Sequence, residues 1–412
     1  MKENDLSHDS ILDILSRLPV KSLRRFGCVS KRWRSLISDP LFRKLHRDRS
    51  QRNPLLMYYN RLPEEICDDD DEDDDSFCCC PPCMEYEEER RREEGERPIP
   101  THYLKAEDES GHVCAEFGIQ FDGRGEFSLI PSDRELICLK RRDLTLFVCN
   151  PSTHELLKLP NPNPAWIKNS DSFELRYVPS VGHYMLLHVY YTAYDEYDVK
   201  PEVAVAYVLN IKFGEKPDRW RCACGEFPCW FKWLSMKSVQ GTDAAVYWYM
   251  PDPNVRRNKF DESIVCFDLA KEQFLIVEKP KGFSNSLGPS TNLVGLKGCL
   301  SLIDVVKDSA MLTMDIWMLK DNRNSVWEKE FTLNMSAVGI DSILPMHFGE
   351  RLIIFNVVFA SAGSRIRYYD LVTKTWRTGG MLRREKHIGP FPYFDGLFSL
   401  AGQPILNFLM SC

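Results

Sequence analysis

No long apolar run is present: the most hydrophobic stretch, Leu352 to Ala362, is broken by Asn356. A membrane-spanning helix needs roughly 18 to 20 apolar residues. The opening residues MKENDLSHDS lack the apolar centre of a secretory signal and the Arg-rich, acid-poor pattern of a transit peptide. The expectation is a protein of the cytoplasm or nucleus with no membrane association, whose 15 cysteines remain thiols in a reducing compartment. Catalytic signatures are missing as well. There is no GxSxG elbow, Walker loop or HExxH, and Gly123-Arg124-Gly125 lacks the third glycine of a dinucleotide loop. Two cysteine strings, Cys78-Cys79-Cys80-Pro81-Pro82-Cys83 and Cys222-Ala223-Cys224 with Cys229, offer thiolates. Neither has a second ligand pair at the spacing of structural zinc sites. No enzyme activity, no catalytic residue, no bound metal and no cofactor are expected.

What is present divides into three regions by charge. Residues 1–63 carry 14 basic and 6 acidic side chains, residues 64–96 carry 3 basic and 17 acidic, and the remainder is nearly balanced. With 412 residues, 43% hydrophobic and 12% aromatic, the chain can build a large core and a smaller domain. The acidic stretch holds eight consecutive carboxylates, Asp68 to Asp75. Such a run repels itself and buries nothing apolar, so residues 51–99 read as a disordered, acidic low-complexity linker.

From Leu6 to Phe42 the apolar residues recur at helical spacing. Ile11, Ile14, Leu15 and Leu18 form one stripe, Pro19 ends it, and Leu23 with Phe26 begins a second that turns at Gly27. Ser30 is placed to cap a third helix carrying Trp33, Leu36 and Ile37, which Asp39-Pro40 closes. Three short helices within residues 1–50 lie near the size limit for independent folding, where burial by a partner helps. Leu18, Pro19 and Val20 present apolar surface outside the first helix and are expected to be exposed for docking.

The segment DLSHDSILDILSRLPVKSLRRFGCVSKRWRSLISDPLF resembles an F-box, the adaptor-binding module of cullin-based ubiquitin ligases. The family's opening Leu-Pro is here Leu6-Ser7, where Ser7 offers an N-cap instead of a preset turn. The resemblance implies packing against a Skp-type adaptor protein through Leu6, Ile11, Leu15, Leu18, Pro19, Val20, Leu23, Phe26 and Trp33, with Lys21, Arg24 and Arg25 near the rim.

From residue 100 to 412 the character changes to short runs rich in Val, Ile, Tyr, Phe and Trp between Gly, Pro, Asn and Asp clusters. This is an all-β pattern. Five phrases recur, from Phe147 to Leu159, Tyr207 to Trp220, Cys266 to Phe274, Asp315 to Trp327 and Tyr368 to Trp376, their corresponding positions Phe147, Tyr207, Phe267, Ile316 and Tyr369 lying at intervals of 60, 60, 49 and 53 residues. A repeat near 50 residues with several strands in each unit fits the blade of a β-propeller. Partner strands lie upstream at Glu135 to Lys140, Tyr184 to Tyr190, Ala244 to Tyr249, Cys299 to Asp304 and Arg351 to Val357. A sixth blade is completed if Tyr393 to Leu400 pairs with strands near Tyr103 and Phe117. Asp268, Asp315 and Asp370 fall at matching places and read as turn residues.

The phrases LFVCNPSTHELLKLP, SIVCFDLAKEQFLIVEKP, IRYYDLVTKTW and PYFDGLFSLAG are similar to those of the F-box-associated interaction domain of plant F-box proteins. Arg176-Tyr177-Val178-Pro179 departs from that family's usual Gly-Tyr-Asp strand. The expected architecture is therefore α+β as two domains: a three-helix F-box, an acidic linker, and a six-bladed, kelch-like β-propeller. The resemblance implies a substrate-recognition adaptor of an SCF-type ubiquitin ligase, linked through the Skp-type adaptor to cullin and RING subunits. An unknown protein substrate is expected on the propeller loops, with Trp166, Tyr194, Tyr197, Arg256, Arg257 and Phe283 as contact candidates because exposed aromatics and Arg dominate hot spots. A non-degradative propeller scaffold or inhibitor is the alternative. A near-neutral β domain without a basic stripe disfavours nucleic acid.

Overall fold

The computed structural model describes residues 7–50, 54–61, 102–108, 112–119, 127–130, 132, 135–141, 143–162, 171–192, 203–228, 238–240, 244–249, 263–283, 293–296, 299–307, 311–336, 340–348, 351–359, 363–382 and 388–404. Four helices open the chain: α1 (His8–Leu15), α2 (Val20–Val29), α3 (Lys31–Ile37) and α4 (Pro40–Ser50). Ser7 caps α1 by accepting the Ser10 N–H at 3.1 Å. Two expectations are corrected here. Gly27 does not turn the chain, because α2 runs through it to Val29. Asp39-Pro40 does more than close the third helix: Asp39 Oδ1 accepts the Leu41 N–H at 2.7 Å, and Pro40 starts a fourth. Proline suits that position, since the first helical N–H has no partner to lose. Leu15, Leu23 and Phe42 form the centre of this module, with Ile11, Leu12, Leu18, Phe26, Leu36 and Ile37 around them.

Six antiparallel sheets follow. The first contains β1 (Leu55–Arg61), β2 (His102–Glu107) and β3 (Val113–Ile119). The second contains β4 (Phe127–Ile130), β5 (Ile137–Arg141), β6 (Leu146–Asn150) and β7 (Glu155–Lys158). The third contains β8 (Asp171–Val178), β9 (His183–Thr192), β10 (Val203–Ile211) and β11 (Arg221–Pro228). The fourth contains β12 (Ser238–Gln240), β13 (Ala245–Tyr249), β14 (Ser263–Asp268) and β15 (Gln273–Glu278). The fifth contains β16 (Leu293–Leu296), β17 (Cys299–Lys307), β18 (Met311–Asp321) and β19 (Val326–Ser336). The sixth contains β20 (Ile340–Phe348), β21 (Leu352–Phe359), β22 (Gly363–Asp370) and β23 (Thr375–Leu382). β24 (Ile388–Tyr393) then returns to the first sheet, ordered β24-β1-β2-β3, and β25 (Gln403–Pro404) lies beside β7.

The sheets are the blades of a closed ring. Leading strands of successive blades neighbour one another, as β4 does β8, β16 does both β12 and β20, and β20 does β24. Every pair of adjacent blades encloses its own apolar cluster, including the sixth with the first through Leu56, Ile354, Ile366 and Tyr368. This explains why β6 is apolar from Leu146 to Cys149: Phe147 and Cys149 face one cluster, Leu146 and Val148 the other. Ring closure differs from the expectation in its partner. The terminal strand pairs with β1, as in Leu55 opposite Tyr393 and Leu56 opposite Pro392. β1 lies inside the span read as linker, so the acidic stretch joins β1 to β2 within one blade.

The phrase repeat has a structural origin at the hairpin of the outer two strands. Asn150, Asp268, Asp321 and Asp370 each accept a backbone N–H two residues on. The residue four positions after each, His154, Glu272, Ser325 and Lys374, has a φ between 52° and 57°. A side-chain acceptor and a left-handed residue together close a four-residue turn. Asp315 is therefore not the turn residue of its blade; it lies within β18 and bonds Lys329 and Thr332. The aromatic ending the phrase is also explained. Trp220, Trp327 and Trp376 donate their indole N–H to Pro160 O, Glu278 O and Asn334 O at 2.8, 2.7 and 3.2 Å, each on the preceding blade.

Replacing Lys374 by glycine should remove the left-handed strain and raise stability by about 1 kcal/mol, whereas Trp376→Phe should lower it by about 1 kcal/mol, both read from denaturant unfolding midpoints. Backbone N–H groups of Thr373 and Val372, with Arg351, hold the Asp370 carboxyl down at about 2. Its contribution is thus complete above about pH 4 and is lost as pH falls toward 2. Asp370→Asn should flatten that acid limb of the stability profile.

Candidate functional site

Alternation of antiparallel strands sends the connections of each blade to two opposite mouths. The turns between first and second strands, and between third and fourth, share one mouth; the remaining connections share the other. The helical module sits on the mouth with the short turns. Val20 donates its backbone N–H to Asp395 Oδ2 at 2.7 Å, Arg24 Nη1 donates to Thr153 O at 2.5 Å, and Leu397 enters the module core. Arg43 lies 3.6 Å from the Phe213 ring centroid and Arg47 lies 4.2 Å from that of Tyr177. Contacts thus reach turns of three blades.

The charged centre of this junction is Arg47, whose Nε and Nη2 donate to the Glu135 carboxylate at 3.3 and 3.4 Å. Both side chains are nearly sealed from water, at 11% and 1% exposure. Burial opposes the charge on Arg47, but Glu135, with Tyr184 and Tyr177, outweighs it and holds the guanidinium above its ordinary value. Burial, reinforced by Arg24 and Lys21, pushes the nearby His154 imidazole down.

The expected adaptor-contact residues separate by environment. Leu6 lies outside the described residues. Leu15 and Leu23 are buried in the module itself, and Ile11, Leu18 and Phe26 line its core. Trp33 is half-buried with its ring 5.0 Å from that of Phe26, edge to face. Pro19 is exposed as expected. Val20 is not: it is fully buried, because α2 starts against the propeller. Arg24, expected near the rim, donates to Thr153 O at the junction. The apolar side chains that the module leaves in water are Ile14, Val29 and Leu41, at 48, 78 and 78% exposure. Periodicity could not find Val29 and Leu41, since both sit at helix ends where a stripe is undefined.

At the opposite mouth emerge the connections that hold five of the loop candidates. Trp166, Tyr194, Tyr197, Arg256 and Arg257 lie outside the described residues, as does the acidic run. Phe283 is described and packs, half-buried, against the cluster of the fourth and fifth blades, 6.0 Å from Lys279 Nζ. Arg61 and His102, the paired ends of β1 and β2, lie at this same mouth, away from the helical module. Among the described residues no group of three or more His, Cys, Asp or Glu is placed to hold a metal ion. Cys222 is exposed, and the side chains of Cys224 and Cys229 lie outside the description. The unusual Arg176 is fully buried on β8, with Nη2 donating to Glu174 Oε2 at 2.7 Å.

Comparison with known proteins is consistent with this arrangement. The family described as F-box associated beta propeller domain matches residues 98–388, and the F-box domain family matches residues 4–45. Among curated relatives, the Arabidopsis thaliana F-box/LRR-repeat protein At2g40920 is 25% identical over 79% of this chain and 68% of its own length. F-box protein At5g65850 of the same plant is 24% identical over 81% and 75%. F-box protein At2g16450, also from A. thaliana, is 50% identical over a shorter stretch, 14% of each chain.

Glu135→Gln should leave Arg47 buried without a countercharge and cost about 3 kcal/mol of stability. The double substitution Arg47→Met/Glu135→Leu should recover most of that loss in the same denaturant titration.

Proposed function

Because the chain belongs to the F-box proteins that carry an F-box-associated β-propeller, we propose that it is the substrate-recruiting subunit of an SCF-type ubiquitin ligase. The F-box helices bind a Skp-type adaptor, and through it cullin and RING subunits. The propeller mouth facing away from them holds a protein target. No chemistry is required of this chain: it raises the effective concentration of a target lysine near the charged conjugating enzyme, converting a bimolecular encounter into a tethered one. Such work belongs to the cytoplasm or nucleus.

One observation carries the reading. The helical module uses α2 and α4 to seat itself on the short-turn mouth, yet keeps Ile14, Val29 and Leu41 in water. Exposed large apolar side chains on a small basic module, beside a core that is already complete, mark a surface for another polypeptide. On this reading Ile14, Val29, Leu41 and Pro19 touch the adaptor, with Leu18 and Trp33 behind them, and Leu15, Val20 and Leu23 act as support.

Capture by a purified Skp-type subunit tests the proposal. Val29→Glu and Leu41→Glu should each weaken binding by about tenfold or more, given hot-spot values of about 1 to 3 kcal/mol, while the melting temperature stays put. Undiminished capture by the double variant would refute the docking surface. In cells, the variant that no longer binds the adaptor should accumulate with its cargo, as wild type does under a proteasome inhibitor.

A further inference from the structure

The C-terminal segment after β24 performs two structural tasks at once. Toward the propeller, Asn150 Nδ2 donates to Gly396 O and Phe398 O at 3.2 and 2.7 Å, and the Leu400 N–H donates to Glu155 Oε2 at 2.7 Å. Gly396 lies so close to Glu135 that a Cβ would stand 2.3 Å from its side chain. Toward the F-box, Leu397 packs into the helical core, and Asp395 accepts from the first N–H of α2. Asp395 is itself held by the Ser152 hydroxyl, which also bonds the buried Tyr393 hydroxyl.

Helix α2 needs that outside carboxylate. The residue at its N-cap is Pro19, whose side chain makes no capping hydrogen bond. An uncapped first turn leaves donors unsatisfied, which costs about 0.5 to 2 kcal/mol. The acceptor is supplied from 375 residues away, by a segment that follows directly on β24, the strand that pairs with β1 and closes the ring.

We infer that Asp395 and Leu397 are positioning residues for the adaptor-binding helices, so that closure of the propeller and competence of the F-box for its adaptor are thermodynamically coupled. A ring not yet closed leaves α2 frayed and binds the adaptor less well. Coupling of this kind is reciprocal: adaptor binding in turn favours the closed ring. The inference rests on the adaptor reading above, and the two can fail separately.

The test uses the full chain in two measurements. In Asp395→Ala, hydrogen exchange at the Ser22, Leu23 and Arg24 amides should speed up about two- to thirtyfold, with the amides of β13 and β14 unchanged. Affinity for a purified Skp-type subunit should fall by a similar factor. Adding Pro19→Ser, which supplies a local cap, should restore the exchange protection without restoring the Ser152 and Tyr393 contacts. A general loss of packing would not be rescued this way. Should Asp395→Ala not fold, Leu397→Ala is read in the same two assays. Unchanged exchange overturns the coupling. Unchanged affinity, where wild type binds, overturns its link to the adaptor. If wild type itself ignores the subunit, the adaptor reading falls, and exchange alone decides whether ring closure orders α2.

Discussion

The pairing of β24 with β1 is the constraint on which the rest depends. A propeller blade buries both faces of its sheet against neighbours, so an open ring would leave two blades with a bare apolar face. Leu55 opposite Tyr393 and Leu56 opposite Pro392 bring β1 and β24 into one sheet, and the cluster of Leu56, Ile354, Ile366 and Tyr368 then exists between the sixth blade and the first. Closure joins residues more than 330 positions apart. Its loop-closure cost is recovered only when both flanking interfaces form, which makes it a cooperative event.

Closure has a second consequence for the F-box. β1 begins within a few residues of the end of α4, so the chain enters the ring at the mouth where the helices lie. The Arg47–Glu135 pair, the aromatic contacts of Arg43 and Arg47, and the Asp395 cap then restrain the helices against turns of three blades. Two domains expected to be separated by an acidic linker are instead docked to each other. The acidic run falls between β1 and β2 in sequence, and the strand ends that flank it, Arg61 and His102, are paired at the mouth away from the helices.

Legibility followed the range of the interactions involved. The second and third strands of five blades could be read because they are runs rich in apolar or β-branched residues, and in four of the blades the third strand ends at an Asx turn. The leading strands could not. FSLI, SVQ and LVGL are too short to show a period, and β20 contains Pro345. Asp315 was mistaken for Asp321 because the strands of the fifth blade are longer than those of the others, which shifts the phrase by several residues. Val20 reads as water-facing from sequence because Leu18, Pro19 and Val20 form a turn with apolar surface outside the first helix; nothing local reveals a carboxylate waiting at residue 395.

The sequence by itself determined the helical module, the repeating blades and the acidic character of the insert. Those properties are written in periodicity, turn chemistry and composition over spans of a few to about fifty residues. Only the tertiary structure decided which strand closes the ring, which mouth the helices occupy, and which apolar residues of the F-box remain for a partner. Each of those outcomes depends on side chains distant along the chain becoming neighbours, and a one-dimensional pattern carries no record of such contacts.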